Sequence, residues 1–80
     1  MKLKRIETSY GKIKLVIEEE VWYSSQGLSE IWARLDIYEE DTHVNDYLLQ
    51  SIEEAKVQAL LQLGISVDDW VELESVEETL

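Results

Sequence analysis

The only histidine of the sequence, His43, lies in the acidic stretch EEDTHVND, with Asp41 and Asp46 close by. An imidazole beside carboxylates could bind a metal ion or act as a general base. A metal site needs several converging ligands, and this stretch has none of the usual ligand spacings and no glycine at the sixth position of an EF-hand loop. We therefore interpret His43 as a solvated loop residue and predict no metal.

Other catalytic groups are also missing from the sequence. Several serines occur, but only one histidine could activate them, and there is no Gly-x-Ser-x-Gly motif. Carboxylate pairs arise by chance where 18 of 80 residues are acidic, so they do not indicate a glycosidase-like pair. Three isolated glycines do not make a phosphate-binding loop, and there is no cysteine. We predict a protein that is not an enzyme and has no cofactor.

Charge is distributed unevenly along the chain, which carries a formal net charge of −11. Residues 1–14 have a balance of +4, whereas residues 15–80 have a balance of −15. An electrostatic field of this sign opposes contact with a phosphate backbone and favours a positively charged protein surface. We therefore expect no direct nucleic acid binding and a basic protein partner, for example a nucleic-acid-binding protein.

Length and composition predict a single compact domain over residues 1–80, with the last few residues frayed. The absence of cysteine is typical of a reducing compartment. The first residues lack the apolar segment of a signal peptide, and no apolar run approaches the ~20 residues needed to span a bilayer. We expect a soluble cytoplasmic protein without a membrane segment.

Alternating apolar residues predict two long strands, over residues 12–23 and 30–39, joined by the loop SSQGL. A register in which Tyr23 faces Ser29 satisfies both faces of this hairpin. It pairs Val21 with Ile31, Ile17 with Leu35 and Leu15 with Ile37 on one face, and Glu18 with Arg34 and Glu20 with Trp32 on the other. A shift by one residue would expose every apolar side chain, so we predict this register.

The remaining sequence predicts shorter elements. KLKRIET indicates a first strand turning at Gly11, in a register left open because Leu3 and Ile6 have opposite parity. EEDTHVND indicates a polar turn, and DYLLQ (residues 46–50) fits either a short strand or the first turn of a helix, with the strand favoured. The segment WVELESV alternates again and predicts a last strand, after which EETL would fray.

A capping box from Ser51 to Glu54 predicts the start of an amphipathic helix, and Gly64 predicts its end. Its apolar stripe would consist of Ile52, Ala55, Ala59, Leu60 and Leu63. The order β-β-β-(β)-α-β predicts an α+β fold, in which an antiparallel β-sheet has one amphipathic helix packed on one face. The opposite face of the sheet would be left to solvent or to a partner.

Three aromatic residues have the parity opposite to the apolar face and therefore belong to this outer face. They are Trp22, Trp32 and Tyr38, and they share the face with Glu18, Glu20, Arg34 and Asp36. Two interpretations are open: the aromatics pair across strands and cover the sheet, or they form a contact surface for a partner. Stacking on nucleic acid bases is disfavoured by the surrounding acids.

The acidic clusters also have two interpretations. A charge run is usually a solvated face that helps solubility and protects edge strands. The alternative is a fixed array of carboxylates that imitates phosphates and occupies a basic groove of a partner. Glu19 is an exception, because its parity points toward the core, and we predict a β-bulge at Glu18–Glu20 that turns it out to water.

The stretch LLQSIEEAKVQALLQL, a short strand running into a Ser-capped helix, resembles many small α+β domains. Among these are antitoxin-like proteins and phage-encoded inhibitor proteins. The resemblance covers about a fifth of the chain, contains no family-specific motif and transfers no functional residue.

We hypothesise a small acidic interaction protein without enzymatic activity. It would occlude a basic surface of its partner, for example a nucleic-acid-binding surface, as an inhibitor encoded by a phage or mobile element or an antitoxin-like factor would. The predicted partner-binding residues are Glu18, Glu20, Trp22, Trp32, Asp36, Tyr38, Glu39, Glu40 and Asp41. The alternative is a homodimer or larger homo-oligomer that buries the outer aromatic face, with the acids serving solubility.

Overall fold

The computed structural model describes residues 2–72 and 76–77. The described elements are β1 (Lys2–Leu3), β2 (Arg5–Tyr10), β3 (Ile13–Tyr23), β4 (Ser29–Glu39), β5 (Thr42–Leu49), α1 (Ile52–Leu63), β6 (Val71–Glu72) and β7 (Val76–Glu77). Five strands form a sheet in the order β5-β4-β3-β2-β6, and β1 pairs separately with β7. All pairings are antiparallel.

One face of the five-stranded sheet carries the helix α1, and the core lies between the two. Leu15, Ile17 and Leu35 are the largest side chains that are fully buried. Ala55 and Ala59 bring the helix backbone close to these side chains, because their methyl groups are small and fully covered. The predicted α+β fold, with its antiparallel sheet and its helix on one face, is confirmed.

The predicted register of the β3–β4 hairpin is confirmed from end to end. Tyr23 faces Ser29, Ile17 faces Leu35, and the ladder continues without interruption to Ile13 and Glu39. The first hairpin, whose register the sequence left open, places Ile6 opposite Ile17 and turns at Gly11, which has a φ of 61°. Leu3 belongs instead to β1 and pairs with Val76.

The β-bulge predicted at Glu18–Glu20 is wrong. Glu19 faces Ala33 within a continuous ladder. It lies where β2 ends, its N–H donates to Lys4 O at 2.9 Å, and its carboxylate accepts the Lys4 N–H at 2.9 Å. A half-buried carboxylate is tolerated here because it caps the backbone at the margin of the sheet.

The polar turn predicted for EEDTHVND is also wrong in its extent. The turn consists of Glu40 and Asp41, both with positive φ, and β5 begins at Thr42. His43 therefore lies on a strand and not in a loop. The sequence does not alternate here because β5 is an edge strand, exposed from Thr42 to Asp46, and because a bulge at Val44 of β5, opposite Ile37 and Tyr38 of β4, breaks the register.

Residues 46–49 extend β5 to Leu49, so the strand favoured for this segment is confirmed over these residues. The helix begins and ends as predicted. Ser51 accepts the Glu54 N–H through its side chain, and Gly64 has a φ of 70° and donates its N–H to Leu60 O. The predicted stripe is wrong at Leu60, whose side chain is 44% exposed because it lies beyond the edge of the helix–sheet contact.

In place of one last strand over WVELESV, the structure has two short strands, β6 and β7. Val71 and Glu72 pair with β2, whereas residues 73–75 lie outside the described residues. Of the predicted frayed end, residues 78–80 also lie outside, and Glu77 pairs with Lys2. Within residues 2–72 and 76–77, no helix has the length and apolar character required to cross a membrane.

Candidate partner-binding surface

The β3–β4 hairpin projects beyond the rest of the sheet. β5 leaves β4 at Ala33, and β2 leaves β3 at Glu18, so residues 20–32 form no ladder with any described strand outside the hairpin. We call residues 20–32 the arm. The arm contributes to an elongated molecule, with principal extents of 42 × 24 × 23 Å. A two-stranded ribbon is marginally stable by itself in water, so this part of the fold depends least on the core.

The outer face of the arm holds two tryptophans and two glutamates in an alternating arrangement. Glu20 lies opposite Trp32, and Trp22 lies opposite Glu30. The Trp22 Nε1–H donates to Glu20 Oε2 at 3.2 Å, and the Trp32 Nε1–H donates to Glu30 Oε2 at 3.1 Å. We call these four residues the Glu/Trp lattice. Each carboxylate thus holds the indole two residues further along its own strand.

The arm also exposes apolar side chains. Exposed fractions are 46% for Trp22, 52% for Tyr23, 64% for Leu28 and 43% for Ile31. Residues 15–33 contain no lysine, arginine or histidine, although they include Glu18, Glu19, Glu20 and Glu30. Trp22 lies on the outer face and Tyr23 and Ile31 on the inner face, so both faces of the arm carry exposed apolar side chains. Exposed aromatic side chains beside carboxylates are typical of an interaction surface.

Further along the outer face, carboxylates are paired with bases of the same face. Glu20 Oε1 lies 3.1 Å from Arg34 Nη1, and Glu7 Oε2 lies 3.4 Å from Lys14 Nζ. Glu18 Oε1 lies 3.1 Å from Arg5 Nε, an ion pair whose angle is not that of a hydrogen bond. Partial neutralisation of Glu18 and Glu20 makes the middle of the sheet a weaker imitation of phosphates than their sequence suggests.

The turn residues Glu39, Glu40 and Asp41 lie at the opposite end of β4 from the arm. At about 3.3 Å per residue along a strand, the two ends are roughly 30 Å apart. All three side chains are exposed, and Glu40 Oε1 lies 2.9 Å from Lys12 Nζ. The structure therefore does not bring the predicted partner-binding residues together in one patch. It divides them between the arm, the middle of the sheet and this turn.

Asp36 and Tyr38 lie between these two regions, beside the β4–β5 bulge. Asp36 Oδ1 is 3.0 Å from His43 Nε2, and the rings of Tyr38 and His43 meet edge to face with centroids 5.2 Å apart. Asp46 faces Asp36 across the strands, and the potential ligand atoms of Asp36, His43 and Asp46 lie within 4.8 Å of one another. The bulge brings His43 onto this face, where the contact between its imidazole and the Asp36 carboxylate accounts for the arrangement.

Sequence reasoning missed Glu30, although it completes the lattice. The signal was present, because Glu-x-Trp occurs once in β3, as EVW, and once in β4, as EIW. Residues that are two positions apart on a strand point to the same face, so each tripeptide places a carboxylate beside an indole. Gln50 was also missed. It lines a cavity of about 370 Å³ with Glu30, Ile31 and Trp32.

Comparison of this chain with known protein families, with curated proteins and with solved structures gives no match.

Proposed function

We propose that this chain is a small interaction protein without enzymatic activity, which binds a basic protein partner through the outer face of the arm. The observation that carries the proposal is the Glu/Trp lattice, which combines two indoles with two carboxylates on an exposed ribbon. A surface of this composition matches arginine and lysine side chains, because an indole face attracts a cation while a carboxylate accepts its N–H groups.

The energetic balance favours a partner that brings both charge and area. A cation over an indole contributes about 0.5–1 kcal/mol at an exposed site and more when it is desolvated. The two indoles of the outer face add burial, at about 25 cal/mol per Å². Glu39 and Asp41, far from the arm, contribute mainly to steering, because charges outside the contact accelerate encounter more than they strengthen the complex.

Binding at the arm would occlude the partner's basic surface. The net charge of −11 favours a partner whose own ligand is a polyanion, since such a protein presents a dense positive field. An inhibitor of a nucleic-acid-binding protein, encoded by a phage or acting like an antitoxin, fits these properties. The absence of cysteine agrees with action in the cytoplasm.

The experiment compares tagged full-length variants as baits in a lysate of the source cells, followed by binding measurements between purified proteins. The double variant Trp22→Ala/Trp32→Ala removes both indoles of the lattice. The matched control is Tyr10→Ala/Leu61→Ala, which removes two exposed apolar side chains elsewhere. We expect a basic protein that binds the wild type and the control directly and loses at least about tenfold in affinity with the lattice variant.

Charge is tested separately with Glu20→Gln/Glu30→Gln and the charge-matched control Asp68→Asn/Asp69→Asn. The lattice substitutions should weaken binding more than the control, and all affinities should fall with salt. Equal binding by the lattice variants and their controls would refute the proposal.

A second candidate function is assembly with copies of itself, and the exposed apolar side chains of the arm favour it. The opposing observation is the absence of any base in residues 15–33, since two acidic arms would repel each other. Light scattering of the wild type and of Trp32→Ala separates the two functions. A stable dimer that Trp32→Ala dissociates supports assembly, and a monomer at all concentrations supports the basic partner.

A further inference from the structure

The edge of β4 along the arm is open to an added strand. Two hydrogen bonds at the ends of the β3–β4 ladder define its pattern: Ser24 donates its N–H to Leu28 O, and Glu40 donates its N–H to Lys12 O. In both pairs the residue on the β4 side is even-numbered. The N–H and C=O groups of the even-numbered β4 residues therefore point towards β3. Backbone direction alternates along an antiparallel strand, and Ser29 and Ile31 therefore present their N–H and C=O groups to the other side. On that side β5 ends at Leu49, opposite Ala33, and no described residue pairs with Ser29–Trp32.

The space beside this edge has the size and lining that an added strand needs. The open cavity of about 370 Å³ is lined by Glu30, Ile31 and Trp32 of β4 and by Gln50, the residue after β5. The Gln50 N–H donates to Glu54 Oε2 at 3.1 Å, which fixes the point where the chain leaves β5 for the helix. A strand added to β4 would thus continue the line of β5 and stop at Gln50.

The two faces of this edge differ in chemistry, and the difference specifies the occupant. Glu30 and Trp32 belong to the outer face, whereas Ile31 belongs to the inner face, where it is 43% exposed. Side chains directly opposite each other in a ladder lie on the same face. An added strand would therefore place basic residues beside Glu30 and Trp32 and apolar residues beside Ile31, in alternation.

Charge distinguishes this occupant from a second copy of the chain. A second β4 edge would bring another Glu30 into the same space, beside Gln50 and the Glu54 carboxylate that Gln50 bonds. The β3 edge is a poorer site, because β1 contacts β3 and the bases Lys4 and Arg5 lie beside Glu18 and Glu19. The β4 edge, in contrast, is lined by Glu30, and residues 15–33 contain no basic residue.

We propose that the partner's contact segment is an extended chain of alternating basic and apolar residues, which adds as a strand to Ser29–Trp32 of β4. This inference rests on the proposed function and specifies the mode of binding. Main-chain hydrogen bonds would supply part of the affinity, and the alternation of side chains would supply the specificity.

The test uses the full-length protein and a defined probe, an acetylated and amidated heptapeptide in which lysine and valine alternate. Its control is the same peptide with N-methyl groups on the valine amides, which keeps the charge and removes hydrogen-bond donors. We expect the first peptide to slow amide exchange at Ser29 and Ile31 and the methylated peptide to bind at least about tenfold more weakly. Nuclear magnetic resonance measures both effects.

A pair of protein variants separates the backbone from the side chain. Ile31→Pro removes an N–H that faces the open edge, a position where proline is tolerated, whereas Ile31→Ala keeps that N–H. Both should fold, and only Ile31→Pro should abolish the protection of the edge.

Three results would overturn strand addition. Equal binding of both peptides with shifts confined to Trp22 and Trp32 would leave the proposed function intact and refute this mode. Absence of binding by either peptide, alongside a protein partner that depends on the lattice, would refute it in the same way. Protection of Ser29 and Ile31 that depends on protein concentration alone would assign the edge to a second copy.

Discussion

Glu19 shows how a carboxylate can occupy a core-facing position of a strand. Its side chain is half-buried and accepts the Lys4 N–H at the point where β2 ends. The alternation of residues in β3 predicted that Glu19 points toward the core, whereas its neighbours Glu18 and Glu20 point to the outer face. The hydrogen bond that accommodates it depends on where the neighbouring strand stops, which the alternation of β3 alone does not specify.

Replacement of Glu19 by alanine should lower the free energy of unfolding by about 1 kcal/mol, because the Lys4 N–H would lose the charged carboxylate that accepts it. Glu19→Gln keeps an acceptor and should lose less. Glu39→Ala, at an exposed position near the turn, should stay within about 0.5 kcal/mol of the wild type. Urea denaturation measures the free energy of unfolding of all three variants. Equal values for Glu19→Ala and Glu39→Ala would show that the Glu19 carboxylate does not stabilise the sheet through the Lys4 N–H.

The turn between β4 and β5 is built from residues that do not suit its backbone. Glu40 has a φ of 50° and Asp41 a φ of 67°, the two positive values of a type I′ turn. Asn-Gly is the usual sequence at these positions, because asparagine and glycine adopt a positive φ more readily than glutamate does at the first position or any residue with a Cβ does at the second. This mismatch explains why the sequence indicated a long polar stretch instead of a tight hairpin.

The double substitution Glu40→Asn/Asp41→Gly should raise the free energy of unfolding by about 1 kcal/mol, because it relieves the backbone strain of both residues. The loss of the exposed Lys12–Glu40 ion pair offsets this only slightly. Glu40→Gln is the control, since it removes the ion pair and keeps the backbone preference. Urea denaturation gives both values, and a destabilised Asn-Gly variant would contradict the assignment of strain.

At the scale of elements, the β3–β4 hairpin was predictable because both of its faces are constrained. Apolar pairs on one face and the Glu18–Arg34 pair on the other allow a single register, and that register is observed. The helix was predictable from its caps, Ser51 and Gly64. β5 was recognised only at its end, because an exposed edge strand with a bulge has no regular alternation to detect.

The candidate site was predictable only in part for the same reason. The parity of β3 and β4 assigned Trp22, Trp32 and Glu20 to one face, as observed. The arm projects beyond the sheet because β2 and β5 pair with only part of β3 and β4. The alternation of residues in β3 and β4 does not indicate where those neighbouring strands end. The open edge of β4 follows from those endpoints, so the sequence of the hairpin alone does not reveal it.

Amide exchange should be faster in the arm than in the part of the same hairpin that the sheet supports. The N–H groups of Trp22 and Trp32 point towards the other strand of the hairpin, as do those of Val16 and Asp36 in the supported part. The two pairs of amides can therefore be compared in equivalent hydrogen-bonding positions. We expect exchange at least about tenfold faster in the arm, because a two-stranded ribbon opens without disrupting the core. Equal protection in both halves would show that the arm is as stable as the sheet.

At the scale of the whole molecule, charge acts in opposite directions on folding and on binding. Between about 0.01 M and 0.1 M salt, the Debye length falls from about 30 Å to about 10 Å. The longer value is comparable with the 42 Å length of the molecule, so its acids repel one another throughout at low salt. Salt should therefore raise the free energy of unfolding, because screening reduces this self-repulsion more than it weakens the few exposed ion pairs.

The same increase in salt should weaken binding of the basic partner, since it screens the attraction between unlike surfaces. Urea denaturation at each salt concentration measures folding without adding a charged denaturant, and titration calorimetry measures binding. The variant Glu39→Gln/Asp41→Asn carries two fewer negative charges and should gain less stability from salt, while its partner should associate more slowly. Stability that fell with salt would instead show that the ion pairs of the outer face, such as Glu20–Arg34, outweigh the repulsion among the acids.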